Sequence, residues 1–573
     1  MLSKLWAIIV LIFIAGQVES QDDIDIKLSS TYAIQNAHIT QSPGKTIDKG
    51  TVVIKDGVII SVGTNVAIPP EAIIVDADSL YIYPGFIDAY NNTGEKKAEE
   101  KKNEERVKNP GNPPNDRAGI TPDRSLSDVY DSGAKSISDW RAEGFTASFS
   151  APAEGMLPGK ASLILLSGKD ASQSTVVKDK VLVGTFQSAS RMYPATIIGV
   201  MAKYRDLFRQ TSYAMKHQSA YDSNPVGMSR PAYDKSLGAL MPAADKKQLV
   251  FMEAEKYKDV SRALTLQADL DFNMALVNVK QGTSFIDVIK QKSIPVVLSM
   301  EVPESEDKKD KKKVDAEKED SAKDDEAKSE EDEVVKEEID PEMEALKARR
   351  DEAIKDYQEQ AAMFAKSGVK FGLSGKDIKA KDLKKNAKLM MEQGITEDQL
   401  LAALTVNPAE MLGVSNILGT VEKGKMANLV ISTAPYFEED AKVKYVFVEG
   451  EQFEYDVEKK KAKVAGKEGD ITGLYDCVLE VPGDERDMKI NIKKDGDEYV
   501  VSVENDGESE EVESVKVNGN SVSFPLSVQE DGQSLNLTFS LTVEDGEISG
   551  TVDTGVFGAF PIKGDRIGDP KSN

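Results

Sequence analysis

The stretch LYIYPGFIDAYNNTG (residues 80–94) joins two strand-forming runs across a turn. Tyr81, Ile82 and Tyr83 favour a strand, Pro84 and Gly85 interrupt it, and the apolar text resumes as Phe86-Ile87-Asp88-Ala89. Proline fixes φ and glycine tolerates a tight bend, so this pair separates one strand from a second, short and buried one. The end of that second strand, around Tyr90 and Asn92, is expected at the floor of a cleft.

Upstream, residues 26–75 are β-rich. Residues 32–40 and 51–63 alternate apolar and polar positions, and Asp56-Gly57 reads as a two-residue hairpin turn. Earlier still, Lys4, the apolar run 5–15 and Val18-Glu19-Ser20 read as a signal peptide over residues 1–20, cut before Gln21. That run is too short to span a bilayer comfortably, no cysteine follows it for lipid attachment, and no later stretch is apolar enough to cross. Cys477 is the single cysteine, which leaves neither an intramolecular disulfide nor a cysteine metal site. An exported chain without disulfides points to a bacterial periplasm or a secreted bacterial protein, soluble after cleavage. The net charge of −26 would repel phosphates, which argues against nucleic acid as a partner.

Downstream, residues 92–124 are polar and rich in Pro and Gly, as a loop or lid would be. Strands and helices then alternate. Strands are expected over 144–150, 161–166, 181–187, 248–252, 274–279, 294–300 and 369–374. Helices are expected over 136–143, 194–221, 258–269, 285–291, 342–367, 381–393 and 396–404. Such alternation predicts an α/β fold, a (β/α)8 TIM-like barrel over residues 85–415. Residues 304–340 within it are almost entirely Lys, Asp and Glu, with too little apolar surface to offset ordering entropy, and are expected to be a disordered insertion. Residues 26–84 and 416–457 are expected to form a small composite β-sandwich. Residues 470–573 read as a separate antiparallel all-β domain, a sandwich or barrel with Asp-Gly and Asn-Gly turns.

Residues 80–94 resemble the first barrel strand of the amidohydrolase superfamily, where the wording is near PGFIDAHTH. A second anchor, ALTVNPAEMLGVSNILGTVEKGKMANLVI (residues 403–431), is similar to the family passage that leads from the last barrel helix back to the sandwich. Residues 443–450 resemble the strand that follows there. Residues 224–227 and the 248–300 series resemble, in less specific wording, an imidazolonepropionase-like branch. The resemblance covers roughly residues 26–455.

This resemblance implies hydrolysis by one or two divalent metals, which acidify a bound water and polarise the scissile carbonyl while an aspartate moves the proton. The family's ligands are an HxH pair on the first strand, a histidine or lysine in mid-barrel, further histidines and an aspartate on the last strand. At those positions this chain has Tyr90 and Asn92, Glu253, Gln281 (or Lys280) and Ser374. Composition agrees: His38 and His217 are the only histidines, and two cannot make an imidazole cluster. Asp88, Asn92 and Glu253 are the remaining candidate metal ligands, an oxygen set suited to magnesium, calcium or manganese. Asp88 is more commonly structural, accepting backbone N–H groups at the strand end. Lys280 or Lys160 would act as a base only if desolvated, and an ion-paired lysine is the commoner case. The glycines at 155 and 159, with Lys160, lack P-loop spacing.

The expectation is therefore an exported, degenerate hydrolase, a pseudoenzyme without a cofactor. Its cleft would bind a small-molecule ligand or an intact amidohydrolase partner, in a homo- or hetero-oligomer. Two alternatives stand beside it. One is an active hydrolase of carbon–nitrogen (non-peptide) bonds, amide or cyclic imide, which would need a divalent metal at a non-standard site. The other is an adhesive protein that binds through its C-terminal β domain.

Overall fold

The computed structural model describes residues 31–96, 107–303, 341–455, 457 and 471–570, except 482–483, 496–497, 506–507, 513, 531–532, 545 and 555–557. The expected signal peptide and the charged insertion 304–340 lie outside the described residues. Two compact units divide the chain, Met1–Asp456 and Val457–Asn573. Among the described residues no helix is long and apolar enough to cross a membrane.

The first unit opens with β1 (Tyr32–Ser42), β2 (Lys45–Lys55), β3 (Val58–Gly63), β4 (Ile73–Asp76) and β5 (Tyr81–Pro84). Asp56 and Gly57 both have positive φ, 51° and 76°, as a two-residue hairpin from β2 to β3 requires. Gly85 then carries β5 directly into the barrel. A Cβ there would come 2.3 Å from Thr146, so only glycine fits this close passage.

Eight strands in chain order make the barrel sheet: β6 (Phe86–Asn91), β7 (Phe145–Ser150), β8 (Gly159–Leu165), β9 (Thr175–Gly184), β10 (Val250–Glu253), β11 (Met274–Val279), β12 (Val296–Ser299) and β13 (Phe371–Ser374). Every residue of β6, β7, β11, β12 and β13 is buried, as expected of strands covered on both faces. The alternation predicts a mainly parallel sheet, which forms, but one strand departs from a strict (β/α)8 repeat. β8 runs antiparallel to both β7 and β9, while the other neighbouring pairs are parallel. The reason is chain length. Links 151–158 and 166–174 are shorter than the dozen or so residues that a parallel crossover needs, whereas a hairpin needs few. The last strand meets the first where the Ser374 hydroxyl donates to the Tyr90 carbonyl at 2.6 Å.

Helices Lys135–Ala142, Ile197–Ser223, Tyr257–Leu270, Ile286–Lys292, Pro341–Ser367, Leu383–Glu392 and Glu397–Leu404 correspond to expected ones. Helix Lys235–Ala244, which holds Pro242 near its end, is not among the expected helices; the Asp234 carboxylate caps it by accepting the Leu237 N–H at 2.9 Å.

Beyond the barrel, β14 (Leu429–Ser432), β15 (Val443–Val448) and β16 (Glu451–Glu454) return to the opening strands. β14 pairs antiparallel with β5, giving one sheet in the order β16-β15-β14-β5-β1-β2-β3, with β4 against β1. The two chain contributions expected to form a sandwich are thus hydrogen-bonded into a single sheet. Ile34, Ile54, Ile82, Leu429, Ile431 and Phe447 fill its core.

The second unit is all antiparallel and nearly closed. Its strands are β17 (Gly473–Val481), β18 (Asp484–Asp495), β19 (Glu498–Asn505), β20 (Glu508–Glu511), β21 (Lys516–Asn518), β22 (Ser521–Glu530), β23 (Gln533–Glu544), β24 (Glu547–Asp553) and β25 (Ala559–Gly568). Their order is β20-β19-β18-β17-β25-β24-β23-β22-β21. Tyr475, Cys477, Ile490, Phe524 and Phe539 form part of its core, and burial pushes the Cys477 thiol up to about 12.

Candidate functional site

The C-terminal ends of β6, β10 and β11, with the turn after β13, bring a polar cluster together at the barrel mouth. This is the end where barrels of this kind carry function. Tyr90, near the end of β6, is 1 % exposed, and its hydroxyl donates to Glu253 Oε2 at 2.9 Å. Glu253 closes β10. Its other oxygen, Oε1, receives the ammonium of Lys376, two residues past β13. The Lys376 Nζ also lies 5.3 Å from the centroid of the Tyr90 ring. Phe251, two residues before Glu253, meets Tyr90 edge-on at 6.1 Å between centroids. Burial first, and the Glu253 charge second, hold the Tyr90 phenol well above its ordinary range, so it stays protonated as a donor.

Asn278 of β11 ties this group to a second one. Its Nδ2 donates to Asp377 Oδ2 at 2.7 Å and to Glu253 Oε1 at 3.4 Å. Both partners are carboxylates, which fixes the NH2 end of the amide toward them. Asn278 Oδ1 is then left buried and without a partner. Asp377 also bonds the Lys280 ammonium at 2.7 Å, which Glu301 and Glu255 approach at 2.6 and 3.1 Å. Burial alone would lower the Lys280 pKa, but bonds to Asp377, Glu301 and Glu255 overcome it and raise the value above its ordinary range. Burial opposes ionisation of Asp377, yet Lys280 and Asn278 hold its carboxyl below the usual range. Lys280 is therefore an ion-paired cation and unsuited to act as a base.

Of the residues proposed from sequence, the mouth unites Tyr90, Glu253 and Ser374. The Ser374 hydroxyl bonds the Tyr90 carbonyl and accepts the Lys376 backbone N–H at 3.3 Å, placing the lysine. Asp88 sits just below, buried, accepting from Tyr90 N (3.2 Å), Gly375 N (3.3 Å) and Asn91 Nδ2 (2.5 Å). Asn92 is turned aside, its amide donating to the Ala151 carbonyl at 2.6 Å. Gln281 does not join the cluster, because its side-chain oxygen accepts the Tyr257 N–H at 3.2 Å. Lys160 pairs its backbone with residues 124–125, apart from the cluster. His38 stacks on Tyr81 in the first sheet at 4.8 Å, and His217 lies in helix Ile197–Ser223.

The donor set does not fit a divalent cation. Both oxygens of Glu253 are engaged, one by a phenol and one by an ammonium that would repel a metal. Asp88 is taken up by N–H donors, and neither imidazole is at the mouth. Among the described residues no group of three His, Cys, Asp or Glu side chains could hold a metal ion.

Lys376, Asp377 and Asn278 are the members that sequence reasoning missed. The available signal was Ser374-Gly375-Lys376-Asp377, charged text directly after the last barrel strand, where loops carry chemistry.

The amidohydrolase family profile matches residues 330–453. Comparison with curated proteins returned no match. Among solved structures, an amidohydrolase from Thermotoga maritima MSB8 is similar at 21% identity and a TM-score of 0.57, over 74% of this chain and 100% of that one. A Xaa-Pro dipeptidase with methionine bound in its active site is similar at 12% identity and a TM-score of 0.42, over 74% and 100% of the two chains. Ochratoxinase from A. niger is similar at 11% and 0.39, over 74% and 96%. The matched segment carries the return from the last barrel helix to the first sheet, and the likeness to the Thermotoga protein shows a shared fold.

Proposed function

We propose that this chain keeps the amidohydrolase framework but uses the barrel mouth to bind a ligand and not to hydrolyse one with a metal. The observation that carries this reading is the Lys376 ammonium seated on Glu253. A metal-dependent hydrolase of this kind needs an open position for a divalent cation beside the substrate. Here that neighbourhood holds a tethered positive charge, a protonated phenol and carboxylates already engaged. With 10 % and 17 % of their side-chain surface exposed, Glu253 and Lys376 can be reached by a few atoms of a small molecule, which favours such a ligand over a partner subunit. The same reading takes residues 1–20 as a leader for export.

Elemental analysis of the purified mature protein, paired with amide and cyclic-imide hydrolysis assays in added zinc and manganese, tests it. The expected result is substoichiometric metal and no turnover above buffer. Stoichiometric metal with a hydrolytic activity that Glu253→Ala abolishes would establish the active-hydrolase reading instead.

A further inference from the structure

Helix Ile197–Ser223 carries its buried residues, Val200, Tyr204, Leu207, Phe208 and Thr211, along one face. The opposite face differs from an ordinary solvated one. Ile198, Arg209, Tyr213 and Lys216 recur there at spacings that a helical repeat brings into one line. Val226 and Tyr233 lie in the segment that follows the helix. Among the described residues, these two with Ile198 and Tyr213 are the four most exposed large hydrophobic side chains, at 63 to 90 %. Single exposed apolar residues are common, but the extremes gathered on one helix and its continuation mark an interaction surface.

The charge of this surface sets it apart from the rest of the chain. Carboxylate side chains number 98 in 573 residues, yet residues 207–233 hold one, Asp222, which accepts from Gln218 at 2.8 Å. Earlier cations of the helix are neutralised, Lys203 by Asp206 and Arg205 by Asp269. Arg209, Lys216 and Arg230 are exposed and have no carboxylate partner among the described residues. The Lys216 ammonium lies over the Tyr213 ring, 6.0 Å from its centroid. In a chain of net charge −26, a face of unpaired cations and exposed aromatic rings is complementary to an acidic partner.

We propose that the outer face of this helix docks an acidic helical segment of another protein. Arg209 and Lys216 stand about 10 Å apart along the axis, two turns, too far to close on one phosphate. That separation matches carboxylates two turns apart on a second helix. Ile198 and Tyr213 meet the apolar side chains of that segment, and Val226, Arg230 and Tyr233 extend the contact past the helix end. Tyr and Arg are the residue types that anchor protein interfaces. A lipid surface fits less well, since residues 209–233 contain no Trp, Phe or Leu to enter the acyl boundary.

The probe is an alanine-based helical peptide with glutamates two turns apart and leucines between them. It is compared with its Gln-for-Glu counterpart by fluorescence anisotropy on the full mature chain, and with phosphatidylglycerol vesicles by co-sedimentation. The Glu peptide is expected to bind, more weakly as salt rises, and at least about tenfold more tightly than the Gln peptide. Arg209→Glu/Lys216→Glu and Tyr213→Ala should each lose at least about tenfold in affinity. Lys423→Glu, at an exposed site elsewhere, should keep the wild-type value. The altered side chains are exposed, so melting should stay at the wild-type temperature. If Arg209→Glu/Lys216→Glu melts early, Arg209→Gln/Lys216→Gln takes its place with the same expectation. No binding of the Glu peptide, equal binding of the two peptides, or an affinity unmoved by the variants would overturn the proposal. Binding to vesicles without binding to the peptide would overturn it in favour of a membrane.

Discussion

Asp88 is a carboxyl group surrounded by N–H donors and no cation. Burial pushes it up to about 7, against the pull of its bonds from Asn91, Gly375 and Tyr90. A raised carboxyl pKa means the folded state binds the proton more readily than the unfolded one. Its contribution is fully present below the unfolded value near 4 and is lost as pH rises through about 7. Asp88→Asn, neutral at every pH, should therefore flatten the stability profile between pH 4 and 7, measured as unfolding midpoints across that range. An unchanged slope would show that Asp88 ionises freely. At this scale the sequence was legible where a residue ends a strand. Tyr90, Glu253 and Ser374 could be placed because strand text fixes position and direction. It failed at Gln281, because past the end of β11 the alternation that would have aimed the side chain stops, and at Lys376, whose partner Glu253 is 123 residues away.

The Lys280 cage depends on how elements meet. Its cation comes from the end of β11, and its carboxylates follow β10, β12 and β13. The sign of its pH dependence follows from the two shifts. Asp377, held low, contributes stability above its unfolded value near 4 that is lost as pH falls through the folded one. Lys280, held high, contributes below about 10 and loses it only as pH rises further. Lys280→Met should thus cost about 2 kcal/mol at pH 7, less than the 3–5 kcal/mol of a fully buried pair because Glu301 is 48 % exposed. The loss should shrink only as pH falls below about 4, toward the depressed value of Asp377; denaturant titrations at pH 7 and at about pH 3 check it. Most elements were legible from apolar periodicity, and the barrel from their alternation. The direction of β8 was not, because a buried strand reads the same in either sense. The short links were the available clue.

The two units have separate cores, that of Val457–Asn573 being made of its own strands. A chain beginning at Val457 should fold by itself and unfold cooperatively. Cys477, buried in that core with its thiol pushed up to about 12, gives the readout: it should resist Ellman's reagent in the folded fragment and react fully in denaturant. A thiol that reacts freely in native buffer would show that this unit is open. The all-β character of the unit was legible in its regular turns. Its near-closure was not, because the β17–β25 pairing joins its first and last strands.

The consecutive pairings β7–β8–β9 have a kinetic consequence. They are the barrel contacts formed at short range along the chain, so they incur the least loop-closure entropy and should form first. The junction of Ser374 with Tyr90 spans 284 residues and should form late. Tyr90, Glu253 and Lys376 come from the start, middle and end of that span. During synthesis the recognition site should therefore be absent until the barrel sequence is complete, and a nascent chain that stops short of Lys376 should have a half-built barrel with nothing to hold a ligand.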